Sequence, residues 1–219
     1  MREHTAEPDT NLSIDRRDLL LALGIAIFAL IVYTRVLAPD ILYGDSAEFQ
    51  TLAYTWGTTH TTGYPVYLLL ARIIGFVPVN TLAWRINFAS AVAAAITLGG
   101  VYLLTRQVTN RGGAFLASMV LLISYTFWSQ SIIAEVYVPA TAFIVIALLL
   151  LLFWSAQPDK RRWWLFLAGF LLSFGIGVHL FLLLIAPSAF LYVLWCIVFV
   201  RERWQYLLVL LSGFVVGLA

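Results

Sequence analysis

Long apolar runs separated by short charged clusters dominate this 219-residue chain. Each run extends for about 16 to 22 residues, which is the length that crosses a hydrocarbon core as an α-helix. Lipid offers the backbone no hydrogen-bond partner, so such runs form helices or the strands of a closed barrel. The runs show no two-residue alternation, which excludes the barrel. Only 11% of the residues are charged, against roughly 25% in a soluble domain.

Seven such runs predict an all-α fold: a polytopic transmembrane helical bundle with about seven spans and short outer-face helices. A polar segment, 1–17, precedes the transmembrane domain, 18–219. The last run reaches the end of the chain without flanking charge, so we expect an N-terminal piece of a longer protein. The runs are 18–37, 83–104, 113–130, 137–154, 163–178, 180–200 and 204–219.

The basic residues between the runs predict the orientation. They cluster at Arg106 and Arg111, at 160–162, and at 201–203. Threading the spans from a cytoplasmic N-terminus places all three clusters inside, as the positive-inside rule requires. We therefore expect an uncleaved signal-anchor in a bacterial plasma membrane, with the active face outward. A cleaved signal peptide is the competing interpretation of the first run.

The segment 64–79 is apolar but only about 16 residues long, and it contains Pro65, Arg72 and Pro78. If it crossed the membrane, every later helix would reverse and the basic clusters would face outward. We therefore predict an interfacial or re-entrant helix on the outer face. Small residues in the later runs, such as Gly213 and Gly217, are typical of helix packing.

Composition also limits the partners. The net charge of +2 and the spread of basic residues along the chain predict no nucleic-acid binding. Cys196 is the only cysteine, so a disulfide framework or a thiolate metal site cannot form within this chain.

This orientation gathers most of the unusual polar residues at the outer face, many of them in the loop 38–82. Asp45 and Glu48 stand at i and i+3, which places both carboxylates on one side of a helix start. They form either a capping box or a general base and its neighbour. The complete set is Asp40, Asp45, Glu48, His60, Arg72, Arg85, Glu135 and His179.

The other outer-face residues also have two interpretations. His60 lies in a turn of hydrogen-bonding residues, which is typical of an ordinary loop. Arg72 and Arg85 either reach lipid headgroups along the membrane surface or hold a substrate phosphate. Glu135 and His179 are isolated ionisable groups near helix ends, and such groups mark either a functional site or plain surface placement.

Five stretches carry a combined signal: 43–49, 60–67, 83–87, 127–130 with 134–137, and 175–179 with Pro187. In this order they resemble a family of multi-pass membrane proteins, long catalogued as a domain of unknown function, with a eukaryotic protein O-mannosyltransferase branch. The resemblance covers roughly residues 18–190. This chain departs from the family at Thr61 and Thr62, where prolines usually follow the histidine, which loosens the loop.

The resemblance implies a GT-C-like glycosyltransferase that moves a sugar, such as a mannose-like hexose, from a polyprenyl-phosphate donor in the bilayer to an exported protein or a glycan. Asp45 is then the preferred general base, and Glu48 orients the acceptor or shares that role. An arginine or histidine holds the leaving phosphate, and the anomeric centre inverts. The expected substrate-binding residues are His60, Tyr64, Arg72, Arg85, Glu135, Tyr137 and His179.

This scheme requires no cofactor, although Asp45, Glu48, His60, Glu135 and His179 are a weak signal for a divalent metal. A transporter or lipid flippase is the alternative from another class, and a non-catalytic membrane scaffold is a third. Transporters place ionisable groups at mid-depth in repeated halves, and the sequence shows no clear repeat. Glu135 and His179 meeting around a mid-depth pore would favour transport.

Overall fold

The computed structural model describes residues 14–201 and 203–219, and this part of the chain is helical without strands. The all-α prediction is therefore confirmed. Most of the segment 1–17 lies outside the described residues. The helices are α1 (Arg16–Arg35), α2 (Asp45–Thr55), α3 (Pro65–Gly75), α4 (Leu82–Thr105), α5 (Arg111–Ile123), α6 (Tyr125–Ser131), α7 (Tyr137–Ala156), α8 (Arg162–Phe174), α9 (Leu182–Cys196) and α10 (Gln205–Leu218).

Four helical segments within the described residues are long and apolar enough to cross a membrane: Arg16–Arg35, Leu82–Thr105, Tyr137–Ala156 and Leu182–Phe199. The number is five if α5 and α6, bent by 66° at their junction, form one span. The predicted count of about seven is therefore not confirmed. The runs at 163–178 and 204–219 do form helices, but these are shorter.

The packing gives the bundle two distinct ends. The first turn of α1 lies beside the end of α4, where Tyr102 and Arg106 reach Asp18. The opposite end contains the start of α4, the loop after α6 and the loop before α9. We call these the Asp18 end and the Asp45 end. Every predicted basic cluster follows a helix that runs away from the Asp45 end.

Close helix contacts use glycine where the sequence predicted small-residue packing. A Cβ at Gly213 would lie 2.0 Å from the carbonyl oxygen of Phe166, and one at Gly217 would lie 2.5 Å from that of Phe170. Gly169 approaches the backbone of Leu210 in the same way. Helices α8 and α10 can therefore pack backbone against backbone only because these positions lack side chains.

The segment 38–82 contains two short helices rather than a span. Helix α3 has 11 residues, or about 16 Å of length, about half the thickness of a hydrocarbon core. The prediction that 64–79 does not cross the membrane agrees with this length. Helices α2 and α3 pack on each other and on the start of α4, so this hairpin lies across the Asp45 end.

A buried carboxylate ties three helices together at the Asp18 end. The Asp18 side chain has no solvent exposure. It accepts hydrogen bonds from Tyr102 Oη at 3.1 Å, Arg106 Nε at 3.2 Å and Arg111 Nε at 3.0 Å. Asp15 forms a capping box with Asp18 and pairs with Arg111 at 2.6 Å. These bonds satisfy the buried carboxylate and join α1, α4 and α5.

Candidate functional site

Helix α2 begins differently from the capping box considered above, so that interpretation is wrong. The N-cap is Gly44, with φ +62°, and no side chain caps the helix start. A positive φ is one that glycine adopts without strain. Asp45 is thus the first helical residue rather than the N-cap. Glu48 does not reach back, because His60 occupies it instead.

Glu48, His60 and Asp45 form the centre of the Asp45 end. Glu48 accepts two hydrogen bonds from His60: one from the backbone nitrogen at 2.7 Å and one from Nδ1 at 2.8 Å. The imidazole Nε2 lies 4.0 Å from the Asp45 carboxylate. The side chain of Asp45 is 58% exposed and that of His60 43%. These groups can therefore meet a ligand from solvent.

The Glu48–His60 contact changes the proton affinity of both partners. The hydrogen bond from His60 lowers the pKa of Glu48. The same bond to Glu48 raises the pKa of His60, and the charges of Asp45 and Glu135 act in the same direction. Each partner therefore favours the charged form of the other.

Aromatic rings line the space next to this trio. The Tyr64 ring packs against His60 at 5.4 Å and against Phe49 at 5.5 Å between ring centroids. On its other side, Tyr64 stacks on His179 at 6.0 Å. Tyr137, which is half exposed, contacts His179 at 5.1 Å. The rings connect the loop before α3, the start of α7 and the loop before α9 in one wall.

Glu135 and His179 complete the cluster in less hydrated positions. Burial raises the pKa of the Glu135 carboxyl, and the charge of Asp45 adds to this effect. Burial lowers the pKa of His179, whose Nδ1 accepts a hydrogen bond from the Phe181 backbone nitrogen at 3.2 Å. The cluster thus contains one carboxyl group with a lowered pKa, Glu48, and one with a raised pKa, Glu135, as many acid–base sites do.

A buried amide pair supports the site from below, and the sequence interpretation missed it. Gln50 Nε2 donates to Asn87 Oδ1 at 2.8 Å, and Asn87 Nδ2 donates to the carbonyl of Ala38 at 2.8 Å. Both amides are almost fully buried. Ser90 is also buried and lies 3.4 Å from the Glu135 carbonyl oxygen. The sequence signal that could have revealed this pair is the presence of polar residues on otherwise apolar helix faces.

The two outer arginines lie apart from the trio. Arg72 donates to the carbonyls of Ala53, at 3.2 Å, and Tyr54, and its guanidinium lies 4.4 Å from the Trp56 ring. These carbonyls end α2, so they are about 13 Å along the helix from Asp45.

Arg85 donates to the carbonyls of Gly75 at 2.7 Å and Val77 at 3.0 Å, at the end of α3. Cations at helix C-termini are favoured by the orphan carbonyls there. Asp40 is exposed, and its carboxylate accepts from the next backbone nitrogen. The structure therefore brings together the predicted residues of the trio, Glu135 and the aromatic wall, and leaves Asp40 and both arginines outside.

Asp45, Glu48 and His60 also satisfy the donor set of a metal site. One ligand atom from each lies within 4.8 Å of the others. Carboxylate oxygen and imidazole nitrogen suit several divalent ions. This trio could hold such an ion, although Glu48 and the Nδ1 atom already bond to each other.

Comparison with known proteins places the same region in one family. The family model "Protein O-mannosyl-transferase TMEM260 N-terminal domain" matches residues 45–205. The chain is 33% identical to mouse protein O-mannosyl-transferase TMEM260 over 147 residues, covering 64% of the chain and 20% of the mouse protein. It is 26% identical over 176 residues to the Dictyostelium discoideum protein of the same name, covering 73% of the chain and 22% of that protein.

The chain spans about a fifth of the length of the curated relatives it matches. Both relatives are eukaryotic, so they do not support the predicted bacterial membrane. No solved structure matches the chain.

Proposed function

Because the chain belongs to the family of the protein O-mannosyl-transferase TMEM260 N-terminal domain, we propose that it carries the reaction centre of a membrane glycosyltransferase. The donor is a polyprenyl-phosphate-linked sugar, a mannose-like hexose being the candidate. The acceptor is a hydroxyl of a protein or a glycan. The curated relatives are named protein O-mannosyl-transferases, and this supports the class of reaction.

The observation that carries the proposal is the cluster at the Asp45 end. Three separate segments contribute to it: 43–64, 132–137 and 178–181. The exposed Asp45 carboxylate lies beside the Glu48–His60 pair, next to a wall of aromatic rings. Sugars present both hydroxyl groups and apolar ring faces. A carboxylate beside aromatic rings, of which Tyr137 is half exposed, suits their binding.

Asp45 acts as the general base in this scheme. Its carboxylate takes the proton of the acceptor hydroxyl as that oxygen attacks the anomeric carbon. A bond forms between the acceptor oxygen and this carbon, and the bond from the carbon to the phosphate oxygen breaks. The phosphate leaves with the electron pair. The transition state resembles an oxocarbenium ion, as in glycoside hydrolysis, and one displacement inverts the anomeric centre.

The membrane orientation belongs to the same proposal. The helices carry Arg106, Arg111 and Arg162 to the end of the bundle opposite Asp45. Under the positive-inside rule, that basic end faces the cytoplasm. The Asp45 end then faces outward, where a lipid-linked donor meets exported acceptors.

Transport, the alternative function, finds less support in this geometry. A transporter would use Glu135 and His179 around a site at mid-depth. Both residues lie in loops between helices, and both interact with the cluster at the Asp45 end. This arrangement favours chemistry at one surface over passage through the bundle.

The test is sugar transfer in membranes that contain the full-length protein. Membranes are incubated with labelled polyprenyl-phosphate sugars, and the labelled product is identified. We expect Asp45→Asn to reduce transfer by roughly 10²- to 10⁴-fold, the usual contribution of a general base. Thr51→Ser, a change on an exposed face of the same helix, is the matched control. Near-wild-type transfer by the Asp45 variant would rule out the proposed base.

A further inference from the structure

An apolar groove lies between helices α3, α4 and α7, and its volume is about 190 Å³. Small residues of α4 and α7 contribute to its lining, among them Ala93 and Ala142. Tyr67 carries the polar atom of the lining, and the other side chains around the groove are apolar. We call this cavity the α3 groove, and the segments that line it are 67–74, 89–96 and 139–146.

The α3 groove connects the candidate site with the lipid-facing surface of the bundle. At its inner end, the Tyr67 ring packs against Phe49 at 4.9 Å between centroids, and Phe49 contacts His60 at 6.2 Å. At its other end, Ile96 is 44% exposed in the middle of α4. The groove therefore leads from the surface that faces lipid to the edge of the cluster at the Asp45 end.

The hydroxyl of Tyr67 is a buried polar group at the inner end of the groove. Tyr67 is 1% exposed, and its Oη atom has no hydrogen-bond partner among the residues that the structure describes. Ser90 and Glu135 are its polar neighbours. A buried hydroxyl without a partner costs free energy. A ligand in the groove with an oxygen that accepts from Tyr67 would remove this cost.

The size and the chemistry of the groove limit what can occupy it. An α-helix is about 10–12 Å wide, so the groove is too narrow for a helix of another protein. An apolar cavity stays dry, and one of about 150 Å³ accepts benzene, a ligand of six carbons. The α3 groove therefore has space for about one or two five-carbon units of a thin apolar chain.

We infer that the α3 groove binds the first isoprene units of the donor lipid, and that Tyr67 Oη donates to the ester oxygen that joins this lipid to phosphate. This inference rests on the proposed function and gives the position of its donor. The groups of a polyprenyl-phosphate sugar follow the order that the structure offers. The apolar carbons lie in the groove, the ester oxygen lies at Tyr67, and the phosphate and sugar lie at the Asp45 end.

Photolabelling tests this position without sugar transfer. The full-length protein in phosphatidylcholine nanodiscs is irradiated with a polyprenyl phosphate that carries a diazirine in its first isoprene unit, and the labelled peptides are mapped by mass spectrometry. We expect labels within 67–74, 89–96 and 139–146, and an excess of unlabelled polyprenyl phosphate should remove them. A probe with the diazirine at the far end of the chain should label other segments. Absence of first-unit labels from the groove would overturn the inference.

Bulk lipid is the competing occupant, and a third probe detects it. A phosphatidylcholine with a diazirine in its acyl chain should label the groove weakly. If this probe labels the groove as strongly as the first-unit probe does, and polyprenyl phosphate does not displace it, the groove binds ordinary lipid and the inference is wrong.

A variant that fills the groove gives a second test. Ala93→Leu should reduce first-unit labelling at least about tenfold, because the added carbons occupy the space of the chain. Ala117→Leu is the matched control, since it makes the same change at a half-buried position on α5 outside the groove. It should label like the wild type. Wild-type labelling of folded Ala93→Leu would contradict the assignment.

Tyr67→Phe tests the hydroxyl alone, and it decides the matter if Ala93→Leu does not fold. It keeps the ring and removes one hydrogen-bond donor. The concentration of unlabelled polyprenyl phosphate that halves the labelling should rise about threefold to tenfold, with the same segments labelled. An unchanged concentration would overturn the assignment of the hydroxyl.

Failure of the proposed function gives a different pattern. Asp45→Asn should keep the first-unit labels, because Asp45 does not line the groove. If Asp45→Asn also transfers sugar normally, the general base is wrong while the position of the lipid stands. If the groove takes no label but Asp45→Asn is inactive, the base stands and the lipid binds elsewhere.

Discussion

The two ends of the bundle use carboxylates in opposite ways. At the Asp18 end, the carboxylate is fully buried and bonded to two arginines and a tyrosine. At the Asp45 end, the carboxylates are partly exposed, and their partner is a histidine. Arginine stays charged at every accessible pH, whereas histidine titrates near neutrality. Acidic residues therefore hold the helices together at the Asp18 end. At the Asp45 end they pair with a group whose charge can change near neutral pH.

The largest effect on stability is expected at the Asp18 end. Asp18→Asn keeps the shape of the side chain but removes the charge that Arg106 and Arg111 face. Breaking a buried ion pair by removing one partner costs about 3–5 kcal/mol. Thermal unfolding in detergent should show a marked loss of stability. An unchanged unfolding temperature would mean that this network of ion pairs does not stabilise the fold.

A smaller effect is expected beneath the exposed cluster. Asn87→Ala leaves Gln50 and the Ala38 carbonyl without their buried partner, which costs about 1–3 kcal/mol. Both unfolding and sugar transfer should suffer, since Gln50 also accepts from Leu42 in the loop before α2. Loss of sugar transfer with unchanged stability would instead mean that Asn87 takes part in the reaction directly and does not only support the site.

The exposed Glu48–His60 pair should stabilise the structure around it. This stabilisation should weaken both at low pH and at high pH. The lowered pKa of Glu48 means that its stabilisation is lost as pH falls through that value. The raised pKa of His60 means that its stabilisation is lost as pH rises through that value. Glu48→Gln should therefore speed hydrogen exchange of the His60 backbone amide most at pH values between the pKa of Glu48 and the pKa of His60. Equal exchange in variant and wild type would contradict the two hydrogen bonds.

The smallest effect is expected at an exposed ion pair. Asp159 contacts Arg162 and Arg203, but its side chain is 51% exposed. It also accepts from Tyr206 at 2.8 Å, and this bond lowers its pKa. Water and salt screen exposed ion pairs, so such pairs contribute little to stability. Asp159→Asn should thus change the unfolding temperature far less than Asp18→Asn does, and a comparable loss would remove the distinction between buried and exposed carboxylates.

Periodicity and composition predicted most of the helical framework. Continuous apolar runs must form helices in lipid, so α1, α4 and α7 lie within a few residues of the runs at 18–37, 83–104 and 137–154. The bend between α5 and α6 was not predicted. Its junction, Ser124, takes an extended conformation, and apolar content carries no signal for such a break.

The site was predicted only in part, because its partners are distant in sequence. The positive-inside rule placed four ionisable residues on one face of the membrane, and the structure brings them together: Asp45, His60, Glu135 and His179. The choice between a capping box and a Glu48–His60 pair depends on a loop 12 residues away, which local rules cannot resolve. The contacts of Asp18 span 88 and 93 residues, so no local pattern reveals them.

The arginine assignments show the same limit. Arg72 and Arg85 were expected at a phosphate because a charged guanidinium near a membrane surface suits that role. The carbonyl partners of Arg72 come within reach only once α3 packs on α2, and those of Arg85 only once α4 packs on α3. Tertiary context therefore decides whether such an arginine faces a ligand or a helix end.

The most direct test of the division between the two ends is a paired measurement on Asp45→Asn and Asp18→Asn. For each variant, sugar transfer per folded molecule and thermal unfolding are measured on the same preparation. We predict that Asp45→Asn loses transfer by roughly 10²-fold or more and unfolds like the wild type. Asp18→Asn should unfold much earlier but keep transfer per folded molecule. Wild-type transfer in Asp45→Asn, or loss of transfer per folded molecule in Asp18→Asn, would contradict this division.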